Sequence, residues 1–276
     1  MPTLLRIRIH PIKSCRGYDC STAELDQLGL VGDRRFQVIA ADGKPFTQRT
    51  HGALARVQTQ IIGDELHVST TEHGEIVIPI ISPATATRTT EVWSTTGLIA
   101  EDCGSEATGF FSALLGETAY LVRTGTAFDR PVKAHHGDRV GFADAFPLLV
   151  ISEASLADLN RRLSENDPSA PAVVMERFRP NLVITDCTAF AEDTWKHIDI
   201  GDTRFAAAGP SERCIMTTVD PNTGAKLGPE PLRTLATYRR DPQGTGVHFG
   251  QNLVNLTKSG RLEVGASVEV DRKSRS

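Results

Sequence analysis

The sequence has 276 residues, of which 39% are hydrophobic and 23% are charged, and its formal net charge at pH 7 is −4. This composition is typical of a globular protein with a substantial core, built as one large domain or two smaller ones. The negative net charge argues against nucleic acid or anionic lipid as a partner, so any anionic ligand needs a local cluster of Lys and Arg.

The first half of the chain predicts a series of short strands. Residues 5–9 alternate between apolar and charged side chains, as in a strand with one buried face. An Asp-Gly turn at residues 42–43 predicts a hairpin. The predicted elements are strands over residues 5–9, 36–40, 45–49, 57–62, 65–69, 75–80, 91–94 and 120–123, and a helix over residues 106–115 that ends at Gly116. Strands this short and closely spaced are typical of a small barrel or sandwich.

The second half follows a segment at residues 125–138 that mixes Gly, Pro, Arg and His without a period, which predicts a domain boundary. An apolar run at residues 146–151 predicts a buried strand, and Ser152 is the predicted N-cap of a helix through Leu163. The remaining predicted elements are strands over residues 182–186, 196–200, 204–208, 215–219, 252–257 and 262–270, and a helix over residues 232–240 that begins at Pro231. The pattern predicts a mainly β protein with a few helices (α+β), divided into domains 1–124 and 125–276.

The cysteines indicate the redox compartment. There are five, without a CxxC pair, and they stand at positions Cys15, Cys20, Cys103, Cys187 and Cys214. This pattern predicts free thiols in a reducing compartment and argues against an iron–sulfur cluster. The N-terminus predicts no signal peptide, and the longest apolar run, residues 145–151, is too short to span a bilayer. We therefore expect a cytoplasmic protein that does not span a membrane.

Residues 211–224 place a thiol beside a guanidinium, before a β-prone run and a tight turn. Cys214 follows Arg213 and precedes the predicted strand at residues 215–219, and Asp-Pro-Asn-Thr-Gly ends the stretch. An adjacent Arg favours the thiolate, the form that binds metals and attacks electrophiles. A buried structural cysteine is the alternative, and this stretch alone favours that alternative.

Four other loop segments combine basic side chains with polar residues or amides. They are Lys13-Ser14 and residues 32–35, 176–181 and 249–252. Such groups suit a phosphate, although each taken singly is more often a solvated surface charge, and no GxGxxG or GxxxxGK signature is present. The adjacent His135 and His136 do not indicate a metal site, because neighbouring residues on an extended chain point apart. His10 and Asp144 remain open as proton donors or orienting groups.

Taken together, these blocks resemble the MOSC superfamily, specifically the two-part proteins that include the amidoxime reducing components and their bacterial relatives. The blocks are His-Pro-Ile-Lys-Ser at 10–14, Gly-Asp-Arg-Arg at 32–35, Phe-Pro-Leu-Leu-Val-Ile-Ser-Glu-Ala-Ser-Leu at 146–156, Phe-Arg-Pro-Asn at 178–181, Ala-Glu-Asp-Thr-Trp at 191–195, Arg-Cys-Ile-Met-Thr-Thr-Val-Asp-Pro-Asn-Thr-Gly at 213–224 and Phe-Gly-Gln at 249–251. The resemblance implies a MOSC-type β-barrel domain preceded by a smaller β-barrel-like N-terminal domain.

The resemblance further implies a molybdenum cofactor (molybdopterin) enzyme, with no requirement for pyridoxal phosphate. Cys214 would be the protein ligand to the metal, with Asp144 and Arg213 as the other catalytic residues. The implied cofactor-binding residues are Lys13, Ser14, Arg34, Arg179, Asn181, Gln251 and Asn252. The implied reaction is the two-electron reduction of the N–O bond in amidoximes, hydroxylamines and N-hydroxylated bases. A non-redox cofactor carrier or sulfurase-type accessory module is the main alternative, and a β-barrel interaction module with a structural Cys214 is another.

Three departures from the family pattern affect these expectations. Ala143 and Ala145 flank Asp144 where eukaryotic relatives carry hydroxyl residues, so contacts there can only come from the backbone. Asn252 replaces an aromatic residue, which leaves the substrate choice open. The sequence ends at Ser276 without the ferredoxin-like domain that some bacterial relatives append. We therefore expect a monomer that receives electrons from a separate ferredoxin-, flavin- or cytochrome-type protein.

Overall fold

The computed structural model describes residues 1–81, 86–133, 135, 137–244 and 246–272. The strands in this part of the chain are β1 (Thr3–Ile9), β2 (Tyr18–Cys20), β3 (Thr22–Asp26), β4 (Gly29–Leu30), β5 (Phe36–Ala40), β6 (Gln58–Ile62), β7 (Glu65–Thr70), β8 (Gly74–Pro79), β9 (Thr87–Val92), β10 (Thr95–Asp102), β11 (Ala119–Arg123), β12 (Leu148–Ser152), β13 (Leu182–Thr185), β14 (Trp195–Ile200), β15 (Thr203–Glu212), β16 (His248–Asn255), β17 (Gly260–Glu263) and β18 (Val268–Arg272). The α-helices are α1 (Ser105–Leu115), α2 (Glu153–Asn166) and α3 (Leu232–Tyr238). The described part of the chain consists mostly of strands with a few helices. This confirms the predicted fold class, a mainly β protein with a few helices.

The strands form four sheets within the described residues. The largest has eight strands in the order β18-β14-β15-β16-β12-β13-β1-β2, and a four-stranded sheet has the order β5-β11-β10-β9. Two three-stranded sheets have the orders β17-β3-β4 and β6-β7-β8. Among the described residues, no helix combines the length and the apolar composition that crossing a bilayer requires.

Strand β1 belongs to the large sheet although it lies at the start of the chain. It pairs with β13, so that Ile7 lies opposite Leu182, and β3 likewise pairs with β17. Strands β1 and β3, from the first 30 residues, are therefore hydrogen-bonded to strands from beyond residue 180. The division into domains 1–124 and 125–276 stays a prediction.

Two hydrophobic cores meet at the loop after β1. Ile7 and Ile9 pack in a core with residues of β12 to β16, whereas Ile12 and Cys15 pack in a second core with residues of β5 to β8 and α1. Because the chain passes from one core to the other at this loop, Lys13 and Ser14 are held at the junction of the two packed layers. The first of the predicted polar loops is thereby placed between the cores.

The predicted strand at residues 215–219 is wrong. Ile215–Thr218 forms a short 3-10 helix, and Cys214 is its extended N-terminal cap. The Thr217 hydroxyl donates to the carbonyl of Cys214, and the Thr218 hydroxyl donates to the carbonyl of Ile215. These local bonds offer the backbone an alternative to a strand, and they outweigh the β propensity of the Thr and Ile side chains.

Three other predicted strands differ in extent. At residues 45–49 the hairpin arm is limited to a bridge between Ile39 and Pro45, because the chain then turns, with Thr50 donating to Thr47 O. Residues 93–94 are a turn between β9 and β10, and β10 was not predicted. The predicted strand at 262–270 is two strands, β17 and β18, separated by a bend in which Gly265 has a φ of 93°.

Helix α2 offers a test of the predicted cap. The buried Ser152 hydroxyl accepts a hydrogen bond from Ser155 N at 3.1 Å and contacts the Ser155 hydroxyl at 2.7 Å. We expect Ser152→Ala to lower the free energy of unfolding by about 1–2 kcal/mol, because the first turn loses its acceptor. Urea unfolding monitored by circular dichroism measures this change. The exposed Ser164, near the end of the same helix, is the control: Ser164→Ala should stay within about 0.5 kcal/mol of the parent. Equal effects of the two substitutions would contradict the capping role.

Candidate functional site

A cavity of about 650 Å³ lies where the loops of the two cores meet. Volumes of this size are typical of sites for cofactors and small molecules. The predicted site residues that line it are Lys13, Ser14, Arg34, Asp144, Arg179, Asn181, Arg213, Cys214 and Asn252. The structure therefore brings together residues that are up to 239 positions apart in the sequence. Gln251 is not part of this lining; it is 1% exposed on β16, and its side-chain amide has no hydrogen-bond partner in the described structure.

The lining of the cavity is strongly basic. Two acidic side chains, Asp144 and Glu212, face eight basic ones, which are Lys13, Arg34, Arg49, Arg130, Lys133, Arg177, Arg179 and Arg213. The whole chain has a formal net charge of −4, so this excess of positive charge is local. Clefts lined by one sign of charge concentrate ligands of the opposite sign. The cavity is thus suited to an anion.

Backbone strain is concentrated at this cavity. Seven non-glycine residues in the described part of the chain have a positive φ, and four of them line the cavity: Ser14 (67°), Arg34 (47°), Trp93 (54°) and Arg179 (56°). Such conformations cost about 1–3 kcal/mol each and persist where the surrounding structure holds them, commonly at ligand sites. The surrounding structure therefore holds the backbone of these loops in strained conformations that place the four side chains at the cavity.

Asn181 and Arg34 lock the basic loops to each other. The buried Asn181 side chain accepts from Arg34 Nη1 at 2.9 Å and from the backbone N–H of Leu149 at 3.2 Å. Arg34 Nη2 donates to the carbonyl of Arg179 at 3.0 Å, and Arg34 Nη1 also pairs with the buried Asp33 at 2.6 Å. Arg34 thus joins the loop after β4 to the loop before β13. Asn181 acts here as a positioning residue.

Arg179 and Arg213 hold buried charge that the described structure does not neutralise. Burial lowers the pKa of Arg179 to about 10, and the neighbouring Arg34 adds to this effect. Burial likewise lowers the pKa of Arg213 to about 10. Arg179 Nη1 donates to the carbonyl of Cys15 at 2.6 Å, but Arg179 Nη2, Arg213 Nε and the Ser14 hydroxyl are buried without a hydrogen-bond partner among the described atoms. Buried donors left unpaired cost about 1–3 kcal/mol each, so the site is better satisfied with an anion in place.

Cys214 is half-buried at the cavity wall, directly after β15. The Arg213 guanidinium donates to Ser211 Oγ at 2.9 Å and to Phe178 O at 2.8 Å. The guanidinium that donates to Cys214 Sγ, at 4.0 Å, comes from Arg49, which also lies 3.8 Å from Met216 Sδ. The sequence did not single out Arg49, because 165 residues separate it from Cys214.

Other thiols in the chain have a different environment. Burial raises the pKa of Cys15 and of Cys103 to about 12, which makes both poor nucleophiles and poor metal ligands at neutral pH. Burial also raises the pKa of Cys20 to about 11. All five cysteines are free, and Cys214 is the one whose side chain lines the cavity among the described residues. The thiol available to a ligand in the cavity is therefore Cys214.

Asp144 projects into the cavity with 51% of its side chain exposed. Its carboxylate forms an ion pair with Lys13, whose ammonium also donates to Phe142 O at 2.8 Å. Burial works to raise the pKa of Asp144, but the Lys13 ammonium and the Trp93 side chain outweigh it and hold that pKa below its usual range. Arg130, which the sequence analysis also missed, donates to the carbonyls of Ala143 and Asp144. The carboxylate is thus kept ionised and its loop is held through backbone contacts.

Comparison with known proteins identifies the family. Residues 1–118 match the MOSC N-terminal beta barrel domain, and residues 137–269 match the MOSC domain. The mitochondrial amidoxime-reducing component 1 of Homo sapiens is 34% identical to the chain, over 96% of this chain and 82% of that protein. The chain belongs to the MOSC family. The component 1 of Mus musculus is 35% identical over 96% of this chain and 81% of that protein, and the component 2 of Bos taurus is 33% identical over 96% and 82%.

His10 and His135 of this MOSC protein are not among the residues that line the cavity. His10 is buried beside the loop after β1, with Nε2 3.4 Å from Pro180 O, and burial lowers its pKa well below the usual value. His135 pairs with Asp138 at 2.9 Å, and His136 lies outside the described residues. In the described part of the chain, no group of three or more His, Cys, Asp or Glu side chains is arranged to hold a metal ion.

Proposed function

We propose that this chain binds a molybdenum cofactor in the 650 Å³ cavity and reduces the N–O bond of N-hydroxylated compounds such as amidoximes. The observation that carries the proposal is the presence, in one cavity, of a half-buried thiol and of buried basic donors without partners. The names of the relatives, amidoxime-reducing components, support the substrate class. A soft thiolate suits a redox-active metal, and a phosphate-bearing pterin suits the basic donors.

The residues of the basic side would hold the cofactor. Ser14 Oγ and Arg179 Nη2 are the buried atoms that a phosphate would satisfy, and Arg34, which is bonded to the carbonyl of Arg179, adds a positive charge beside them. Asn181 keeps Arg34 in place, as its bonds to Arg34 and Leu149 indicate. Cys214 would be the protein ligand to the metal. When bound, the cofactor would supply the two-electron chemistry of N–O bond reduction.

Asp144, paired with Lys13, would orient the substrate. The ionised Asp144 carboxylate is an acceptor only, so it suits the N–H groups that an amidoxime presents beside its N–O bond. Lys13 holds this carboxylate through its ion pair, and Arg130 holds the backbone on either side of it. The reaction consumes two electrons and two protons for each N–O bond, and it releases water and the reduced amidine or amine. Asn252, whose amide donates to Pro210 O at 3.2 Å, would shape the pocket where relatives carry an aromatic residue.

Two measurements test this proposal. Protein purified from a host that makes the cofactor should contain close to one molybdenum per chain by elemental analysis. It should convert benzamidoxime to benzamidine when reduced methyl viologen supplies electrons. Protein without molybdenum would contradict the proposal. Protein with molybdenum but without turnover of any N-hydroxylated compound would make the chain a cofactor carrier instead of an enzyme.

The electron supply gives a separate prediction. We expect NADH or NADPH alone to give no turnover with the purified chain, because the sequence has neither a cluster-forming cysteine set nor a GxGxxG dinucleotide signature. The proposal assigns that step to a separate donor protein. Spectrophotometric assay at 340 nm with benzamidoxime checks this, with reduced methyl viologen as the positive control. Steady NADH oxidation coupled to loss of benzamidoxime would show that the chain accepts hydride directly.

A further inference from the structure

Trp93 lines the cavity and has a strained backbone conformation. It lies in the turn between β9 and β10, has a φ of 54°, and remains 55% exposed. A bulky residue at positive φ is uncommon, and turns of this kind normally use Gly or Asn. The structure thus holds a large apolar ring against the cavity at a cost in backbone energy. Because the turn itself does not require a tryptophan, this cost indicates that the ring has a functional role.

The contacts of Trp93 connect its ring to the proposed metal ligand. The Arg49 guanidinium lies over the indole at 4.3 Å from the ring centroid, which is a cation–π distance. The same guanidinium approaches Cys214 Sγ at 4.0 Å. The Trp93 side chain also interacts with the Asp144 carboxylate. The indole is therefore positioned by two groups that belong to the site already described.

Trp93 is one of several apolar residues that line the cavity. Pro131, Ala143, Ala145 and Phe146 are others, and together with Trp93 they are called the aromatic wall. A flat aromatic face such as the indole binds planar conjugated groups by stacking and by burial of apolar area. Asp144 lies beside the wall, so a planar substrate stacked on Trp93 would direct its N–H groups at a carboxylate.

We infer that Trp93 is a specificity-determining residue that selects planar, conjugated N-hydroxylated substrates over small aliphatic ones. This inference rests on the proposed function. Arg49 acts with it as a positioning residue, since it holds the ring and contacts the thiol at the same time. The substrate class that the wall fits is an aromatic amidoxime or an N-hydroxylated heterocyclic base. Its ring would lie on the indole, and its N–H groups would meet Asp144.

The kinetic test compares two substrates in one protein. We expect Trp93→Ala to lower the ratio of kcat/KM for benzamidoxime to that for acetamidoxime by about tenfold, which is the size of one lost stacking contact. Trp93→Phe keeps a flat ring and should restore most of the ratio. Ile99, an exposed apolar residue of β10 outside the cavity, is the matched control, and Ile99→Ala should leave the ratio at the parent value. Molybdenum content is measured for each variant.

A binding measurement separates this inference from the proposed function. Isothermal titration calorimetry of the oxidised protein with benzamidoxime and acetamidoxime, in the absence of any electron donor, reports on the wall without turnover. We expect Trp93→Ala to weaken the binding of benzamidoxime at least fivefold more than that of acetamidoxime. A selective loss of benzamidoxime binding would support the aromatic wall even if no N-hydroxylated compound were reduced. A ratio of kcat/KM that does not change in Trp93→Ala, or equal weakening of both amidoximes, would overturn the inference.

Discussion

Cys214→Ala should abolish reduction of benzamidoxime while the protein stays folded. The thiol is the proposed bond between the chain and the metal, so its loss removes the ligand that sets the geometry and redox behaviour of the metal. The side chain is small, half-buried and located at a cavity wall, so its removal should cost far less stability than truncation of a large core residue. We expect partial molybdenum content, because the buried basic donors would still hold the pterin.

Turnover with reduced viologen, elemental analysis and thermal denaturation measure these three expectations. Cys187 provides the control, since it is also a partly buried free thiol but packs beside the core of the large sheet. Cys187→Ala should keep both turnover and molybdenum. Full turnover in Cys214→Ala would refute the ligand role. Unfolding of Cys214→Ala would make this thiol structural, as the alternative interpretation of the sequence holds.

Much of the cavity lining could be predicted from local sequence. Lys13, Arg34 and Arg179 each lie in a loop where a charged or polar residue follows or precedes a strand, and such loops commonly carry functional side chains. The order of the sequence blocks, which resembles that of the family, then predicted that these loops come together at one site. The positive φ at Arg34 and Arg179 was not predictable, because no glycine or asparagine marks either position.

The remainder arises from tertiary contacts that no local pattern encodes. Arg49 and Trp93 come from turns that were predicted as strand residues, and their contacts with Cys214 and Asp144 span 165 and 51 positions. Strand β10 was missed because its apolar residues are diluted by Thr and Gly at its start. The pairing of β1 with β13 joins residues about 180 positions apart, so the strand itself was predictable but its partner was not.

Arg179→Met should release the cofactor without unfolding the chain. Arg179 Nη2 is a buried charged donor without a partner among the described atoms, and the Arg34 charge lies close to it. A phosphate placed there would gain a charge-assisted hydrogen bond worth about 1.5–3 kcal/mol, so its loss should weaken retention roughly tenfold to hundredfold. Met keeps the unbranched stem of Arg up to about the position of Nε, so the strained backbone, with its φ of 56°, carries a side chain of the same kind at Cβ.

The stability of the cofactor-free protein gives this prediction a second readout. In protein from a host unable to make the cofactor, Arg179→Met loses the bond to Cys15 O but also removes a desolvated charge next to Arg34. These effects oppose each other, so the melting temperature should change little. Loaded wild-type protein should melt above its cofactor-free form, and this gain should be absent in the variant, because only bound ligand stabilises by mass action.

Arg8→Met is the matched control for this substitution. Arg8 is a mostly buried arginine that pairs with Asp19 and Glu176 and does not line the 650 Å³ cavity. Removing its charge should leave molybdenum content after extensive dialysis equal to that of the parent. Arg179→Lys keeps the charge without the fork and should retain an intermediate amount. Molybdenum retained at the parent level in Arg179→Met, or lost equally in Arg8→Met, would show that Arg179 does not hold the anion and would remove the basic side of the cavity from the proposed cofactor site.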